Sequence, residues 1–296
     1  MKIHLVKPFG YCSGVVHAMD MALHYASTHK EEEIYLLGML VHNEDSVASL
    51  TRLGVHILDE KKEDLETQLK NLPDGVTLLF SAHGHPSHYE EIAKEKHIKT
   101  IDTTCRFVKE NEANARKEYQ HSEDIIYIGS KGHLESEGFL ANLPRVSFFD
   151  VKTNSLMIRG DISKPSLYCQ TTLGMSEIER AISEIQKHFK DAKLIKGRCH
   201  ATSLRQDALM KTLEKEKVDC LLVLGSSTSN NSKKLAEIGL RFGIDSYLCL
   251  NIHEVRKLDF SKYTSIAVAT GASTSRQTAL EVIDYLSLLS ASQRDT

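Results

Sequence analysis

The stretch FGYCSGVVHAM (residues 9–19) sets a cysteine just ahead of a helix, and two later stretches repeat that setting: DTTCRFVKENEA (102–113) and GRCHATSLRQDAL (197–209). Cys12, Cys105 and Cys199 stand at nearly equal separations along the 296 residues, the mark of an internal repeat. Two sets of polar loops keep the same frame. His42 (in VHN), His133 (in GHLESEG) and Ser229 (in SSTSNNS) follow their cysteines at one nearly constant offset. His83 (in SAHG), Thr171 (in QTT) and Ser273 (in TGAS) follow at a second, longer one.

The hydrophobic pattern supports the frame. Short apolar runs at 34–37, 76–80, 125–128, 167–169, 221–224 and 266–269 read as strands buried on both faces. Helical stretches lie between them, such as 15–26, where Val15, Met19, Leu23 and Ala26 share a face. Alternating strand and helix implies parallel sheets. The polar loops begin at the carboxyl ends of these strands, where open parallel sheets hold ligands. The expected fold is α/β: three similar small domains with mainly parallel sheets, in pseudo-threefold arrangement around a central cavity. The expected division is an N-terminal strand with the first cysteine (1–13), then repeats at 14–105, 106–197 and 198–296 with the C-terminal tail.

Composition narrows the function classes. With 37 basic and 40 acidic residues the formal charge is -3, so no broad basic surface points to nucleic acid. No apolar run approaches a membrane span, and Lys7 and Pro8 interrupt any signal-peptide core. The expectation is a cytoplasmic protein whose six cysteines stay reduced. The charged segments 59–71 and 211–217 read as solvated helix faces.

Thiolates are soft ligands, suited to zinc, copper(I) or an iron–sulfur cluster. None of the three repeated cysteines belongs to a Cys-x-x-Cys pair, which argues against a local zinc knuckle. A 4Fe–4S cluster normally takes four cysteines, so three symmetric ones leave an iron open as a Lewis acid toward a substrate oxygen. Cys169, Cys220 and Cys249 lie on or beside apolar runs and read as small buried hydrophobes. A zinc-dependent hydrolase or lyase and a non-enzymatic iron–sulfur sensor are the alternatives. The former would be colourless and redox-neutral. The latter would have no need of converging anion-binding loops.

Taken in order, FGYCSGV, VHN, SAHG, DTTC, GHLESEG, QTTL, the Cys-x-Ala-Thr-x-x-Arg-Gln segment 199–206, SSTSNNS and GAS resemble the 4-hydroxy-3-methylbut-2-enyl diphosphate reductase family, also called LytB. The resemblance runs from Gly10 to about Ser275. It implies a trefoil of α/β domains around one 4Fe–4S cluster per chain, with Cys12, Cys105 and Cys199 as ligands. The implied reaction removes the allylic hydroxyl of a diphosphate substrate, giving isopentenyl and dimethylallyl diphosphates at the last step of the methylerythritol phosphate route. The implied partners are that substrate and an external electron donor of ferredoxin or flavodoxin type.

By motif position Glu135 matches the proton-delivering carboxylate. Thr171 and His133 stand beside it as catalytic. His42, His83, His133, Thr171, Thr172, Ser229, Asn230, Asn231 and Ser273 match the substrate shell. Glu137, on the same loop, competes for the acid role and is assigned a structural one. His4, His29, His97 and His188 are assigned structural or surface roles, as are His85 and His88. Five residues depart from the family pattern: Arg106, Leu134 and the Ser275–Arg276 pair, where Pro is common, and Asn230, where a second Ser is.

Overall fold

Two strands in each sheet are apolar almost throughout, and the computed structural model, which describes residues 1–121, 124–196 and 200–292, explains why: helices cover both their faces. The described residues form two compact units. One takes Met1–Val16, Val41–Ser49 and the chain from His200 onward; the other takes the rest.

The first unit holds one parallel sheet, in the order Asp245–Cys249, Cys220–Leu224, Ser265–Thr270, Lys2–Leu5. Alternation along the central strands feeds two cores. Leu222, Leu224, Ile266 and Val268 pack with Val255, Phe260 and Val282. Leu221, Val223, Ala267 and Ala269 pack on the opposite face with Leu209, Leu213 and Leu235.

The second unit holds two sheets. One runs His56–Leu58, Ile34–Leu37, Thr77–Phe80, Lys99–Asp102, all parallel. The other runs Ser147–Asp150, Ile125–Gly129, Ser166–Cys169, Lys193–Lys196, also parallel. Its fifth strand, Ser155–Met157, pairs antiparallel with Ser147–Asp150. Asn154, at φ 56, sits in the connecting turn, a backbone region that Asn tolerates better than most residues.

The strand order is the same in all three sheets. In two of them, the strand leading toward a cysteine closes the sheet built by the strands before it: Lys99–Asp102 ahead of Cys105, and Lys193–Lys196 ahead of Cys199. The last sheet is closed by Lys2–Leu5, the strand ahead of Cys12. The fold is therefore α/β with mainly parallel sheets, built on one repeated strand order.

The expected strands all form, with ends shifted by a residue at most, and the expected helix over 15–26 is Ser13–Thr28. The charged segment 59–71 differs from its expected form. It is helical only over Leu65–Lys70, because Asp64 caps that helix by accepting the Thr67 N–H at 2.9 Å. Among the described residues, no helix is long and apolar enough to cross a membrane.

Candidate active site

Cys12 and Cys105 are held by matching backbone bonds. The Cys12 N–H donates to the Ala272 carbonyl at 2.9 Å, and the Cys105 N–H donates to the Ala82 carbonyl at 3.0 Å. Each alanine immediately precedes the polar residue of its second loop, Ser273 or His83. Both thiols are half-buried, and each cysteine precedes a helix, Ser13–Thr28 or Arg106–Tyr119. Cys199 lies outside the described residues. The other three cysteines are buried at strand ends, where burial pushes the Cys220 thiol to about 12 and the Cys249 thiol to about 11. Arg106, the departure beside Cys105, is exposed, with its guanidinium 5.0 Å from the Phe107 ring centre.

The carboxyl of the site comes from helix Leu134–Asn142. His133 caps that helix, its Nδ1 accepting the Glu135 N–H at 3.2 Å. Glu135 is 3% exposed. The Thr171 N–H donates to its Oε1 at 2.7 Å and the Thr171 hydroxyl to its Oε2 at 2.9 Å. The Tyr127 phenol lies at 3.4 Å from Oε1. Desolvation outweighs these bonds, so the carboxyl's pKa rises to about 7. Glu137 is exposed and accepts the Gly132 N–H at 2.7 Å, a turn-holding bond. The rings of His83 and His133 meet edge to face, 5.3 Å between centres. Thr172 accepts from Gln170 Nε2 at 2.8 Å, while Gln170 Oε1 accepts the Ser130 N–H. Thr172 thus helps orient the loop beside Glu135.

The remaining sequence-predicted residues gather in the first unit. Ser229 caps helix Asn230–Arg241 by accepting the Ser232 N–H at 3.3 Å. A Cβ at either Gly225 or Gly271 would come within 2.2 Å of Ser232 Oγ, so two glycine-bearing loops close directly on that helix start. Asn231 is 3% exposed, and neither end of its amide has a hydrogen-bond partner among the described residues. Asn230 is half-buried in the first turn. The Ser273 hydroxyl donates to the His42 carbonyl at 3.0 Å, and the Ser46 hydroxyl lies 3.2 Å from the Ser273 carbonyl. Burial lowers the pKa of His42.

Several residues in these networks escaped the sequence reading. Tyr11 bonds Ser46 at 2.9 Å, and the Arg205 guanidinium donates to the Gly10 carbonyl at 2.6 Å beneath Cys12's loop. Tyr127 touches Glu135. Its signal was a phenol inside an otherwise apolar central strand, since buried Tyr seeks a partner for its hydroxyl. Asn111 had a similar signal, lying with Val108 and Ala115 on the buried face of its helix. Of the other histidines, His85 stacks on Phe80 with 3.5 Å between ring centres and reaches Glu90 at 3.1 Å. His88 pairs with Glu66 at 3.0 Å.

A carboxyl buried with two donors and raised toward neutrality is a group suited to proton transfer. Such a carboxyl on parallel α/β sheets has the character of an enzyme's acid. The model of the LytB protein family matches residues 3–287. The 4-hydroxy-3-methylbut-2-enyl diphosphate reductase of Malacoplasma penetrans (strain HF-2) is 32% identical over 294 residues, covering 97% of both chains. The reductase of the same name from Bacillus thuringiensis (strain Al Hakam) is 32% identical over 290 residues, covering 97% of this chain and 90% of that one. Among solved structures, the E-1-hydroxy-2-methyl-but-2-enyl-4-diphosphate reductase from Plasmodium falciparum superposes with a TM-score of 0.85 at 27% identity, over 96% of this chain and 87% of that one. The chain belongs to the LytB family, and its enzyme class is oxidoreductase.

Proposed function

We propose that the chain reduces 4-hydroxy-3-methylbut-2-enyl diphosphate to isopentenyl and dimethylallyl diphosphates, with Glu135 delivering protons. The buried Glu135–Thr171 pair carries this reading. Removing an allylic hydroxyl as water takes two electrons and two protons, and a carboxyl with its pKa near 7 can hold one such proton at working pH. Thr171 fixes both carboxyl oxygens, so the proton is presented from a defined position.

The thiols fit an iron–sulfur cluster better than any other group. Cys12 and Cys105 are accessible enough to ligate and stand at helix starts in matching backbone settings, whereas the strand cysteines are locked away. Cys12, Cys105 and Cys199 are the proposed ligands of one 4Fe–4S cluster, consistent with division into the strand segment 1–13 and repeats 14–105, 106–197 and 198–296. When bound, such a cluster supplies electrons and Lewis acidity. The electrons are proposed to come from a donor of ferredoxin or flavodoxin type.

Ser229, Asn230, Asn231, Ser273 and His42 are proposed to bind the diphosphate, with His83, His133 and Thr172 completing the substrate shell. The support is the buried Asn231 amide, unpartnered among the described residues at a helix start, where backbone N–H groups and the helix dipole favour an anion. A diphosphate there would raise the pKa of His42, opposing the effect of burial, and gain a charge-assisted bond.

The test is anaerobic purification with iron and sulfide counting, followed by turnover of the allylic diphosphate with a chemical reductant. About four irons per chain and formation of both products support the reading. Zinc alone, or a cluster without turnover, overturns it in favour of a hydrolase or a sensor.

A further inference from the structure

Helices Arg106–Tyr119 and Leu134–Asn142 border a cavity of about 10 Å³ open to water centres, room for one water molecule. His83, His85, Asn111, Glu112 and Glu135 are among its lining residues. Among these, His85 Nδ1 and Asn111 Oδ1 are buried with no hydrogen-bond partner among the described residues. The character of each atom follows from the other end of its side chain. His85 Nε2 lies 3.1 Å from the Glu90 carboxylate, so Nε2 carries the hydrogen and Nδ1 of the neutral ring is a lone pair. The amide nitrogen of Asn111 donates to the Cys169 carbonyl at 3.1 Å, which leaves the amide oxygen for the cavity. Both orphan atoms are therefore acceptors. Gly84, His85 and Glu112 also line an open cleft of about 470 Å³, from which water can reach this wall.

We propose that the cavity holds one water whose two hydrogens are claimed by His85 Nδ1 and Asn111 Oδ1, leaving only its oxygen lone pairs for Glu135. A water oriented in this way can accept a hydrogen bond from Glu135 but cannot donate one to it. It therefore bonds the protonated carboxyl and repels the carboxylate, which keeps Glu135 in its acid form. His85 and Asn111 are positioning residues, acting on Glu135 through the water. The inference deepens the assignment of Glu135 as proton donor and rests on that reading for its role in the reaction, though not for the existence of the water.

Other titratable groups around Glu135 come from every neighbouring element. They are Tyr127 and Cys169 on the sheet, His83 and His85 on the loop after Thr77–Phe80, Glu112 on helix Arg106–Tyr119, and His133 at the cap. Burial holds the pKa of His85 below its ordinary value, so the ring is neutral at working pH. Replacing it with Phe, which can keep the stack on Phe80, removes a lone pair and no charge. Had the ring been cationic, its loss would raise the pKa of Glu135. The water predicts the opposite sign.

The experiment is infrared titration of the Glu135 carboxyl in the intact holoprotein, its protonated C=O band assigned by its absence in Glu135→Gln. His85→Phe and Asn111→Leu, made on different elements, should each lower the carboxyl's proton affinity roughly tenfold, moving the midpoint down by about one pH unit. Unless both midpoints fall, the proposal is overturned, because the water needs both acceptors. The readout does not depend on turnover. If Glu135→Gln kept full activity, the proton-donor reading would fail while the water stood or fell on its own titration.

Discussion

Thr171 grips both oxygens of Glu135, one with its backbone N–H at 2.7 Å and the other with its hydroxyl at 2.9 Å. Both bonds favour the carboxylate, so they hold the pKa of Glu135 below the level that burial alone would set. The pair thus opposes two effects on one group. Burial keeps the proton on, and Thr171 steadies the charge left when the proton goes.

Glu135→Gln keeps the shape and removes the transferable proton. Turnover should fall by at least roughly a hundredfold, the usual contribution of a positioned acid, with iron content and substrate binding retained. Single-turnover kinetics beside an iron count checks this, and near-normal rates would remove Glu135 from the acid role. Thr171→Val should lower kcat as well. It should also raise the midpoint of Glu135, because a bond to the charged form is lost.

The raised pKa predicts a pH dependence of stability. Glu135 titrates near 7 in the folded protein against an ordinary value of 4.5. The folded state therefore binds the proton more tightly. The associated stability is fully present below about pH 4.5 and is lost as pH rises through 7, by roughly 3 kcal/mol in total. In Glu135→Gln this loss should disappear, so its melting temperature relative to wild type should climb between pH 5 and about pH 8. A difference that stays flat with pH would show that the carboxyl is already ionised in the folded protein.

The parts of the fold that could be read from the sequence are the ones burial writes into residue type. Central strands such as Ile125–Gly129 and Cys220–Leu224 are buried throughout and so are apolar throughout. Edge strands such as Lys99–Asp102 carry exposed polar residues and left no such trace, and Ser155–Met157 is exposed at both ends. The site divides in a similar way. Glu135 and Glu137 are indistinguishable by composition, but two positions along a helix turn them toward opposite surroundings, Tyr127 for one and solvent for the other. The orphan acceptors of His85 and Asn111 depend on bonds to Glu90 and Cys169, and only coordinates reveal them.

Asn231 offers a test in which stability and binding move apart. Its amide is buried with neither end bonded among the described residues, which costs about 1–3 kcal/mol in the ligand-free protein. Asn231→Leu, similar in volume, should melt at the same temperature or higher while KM for the diphosphate rises at least tenfold. If melting temperature falls and KM holds, the amide serves the fold and the anion site lies elsewhere.

The cysteines separate by setting. Cys12→Ser and Cys105→Ser should each lose most of the bound iron, because a hydroxyl is a poor substitute for a soft thiolate. Cys249→Ala, whose thiol is buried at a strand end and pushed up to about 11, should keep the iron and lose only some stability. Iron and sulfide analysis of anaerobically prepared variants decides the matter. A Cys105→Ser protein with full iron would strike that residue from the ligands.

Gly138 tests how closely the acid-bearing helix must seat. A Cβ there would stand 3.1 Å from the His85 carbonyl carbon and 3.2 Å from both its backbone nitrogen and oxygen. These are main-chain atoms, with no flexible side chain to swing aside, so Gly138→Ala must push helix Leu134–Asn142 away from the loop after Thr77–Phe80. Overpacking of this kind costs about 1–3 kcal/mol, and it outweighs the roughly 1 kcal/mol that Ala gains over Gly in a helix. The displacement also moves Glu135 relative to Thr171. The variant should therefore melt lower and lose kcat more than it raises KM. Gly132→Ala provides the contrast. Among the described residues nothing lies within 4 Å of its added Cβ, but its φ of 80° strains any side chain there, so it should lose stability with little change in kcat. Equal losses of kcat in the two variants would mean that the seating of the helix on His85 does not control the acid.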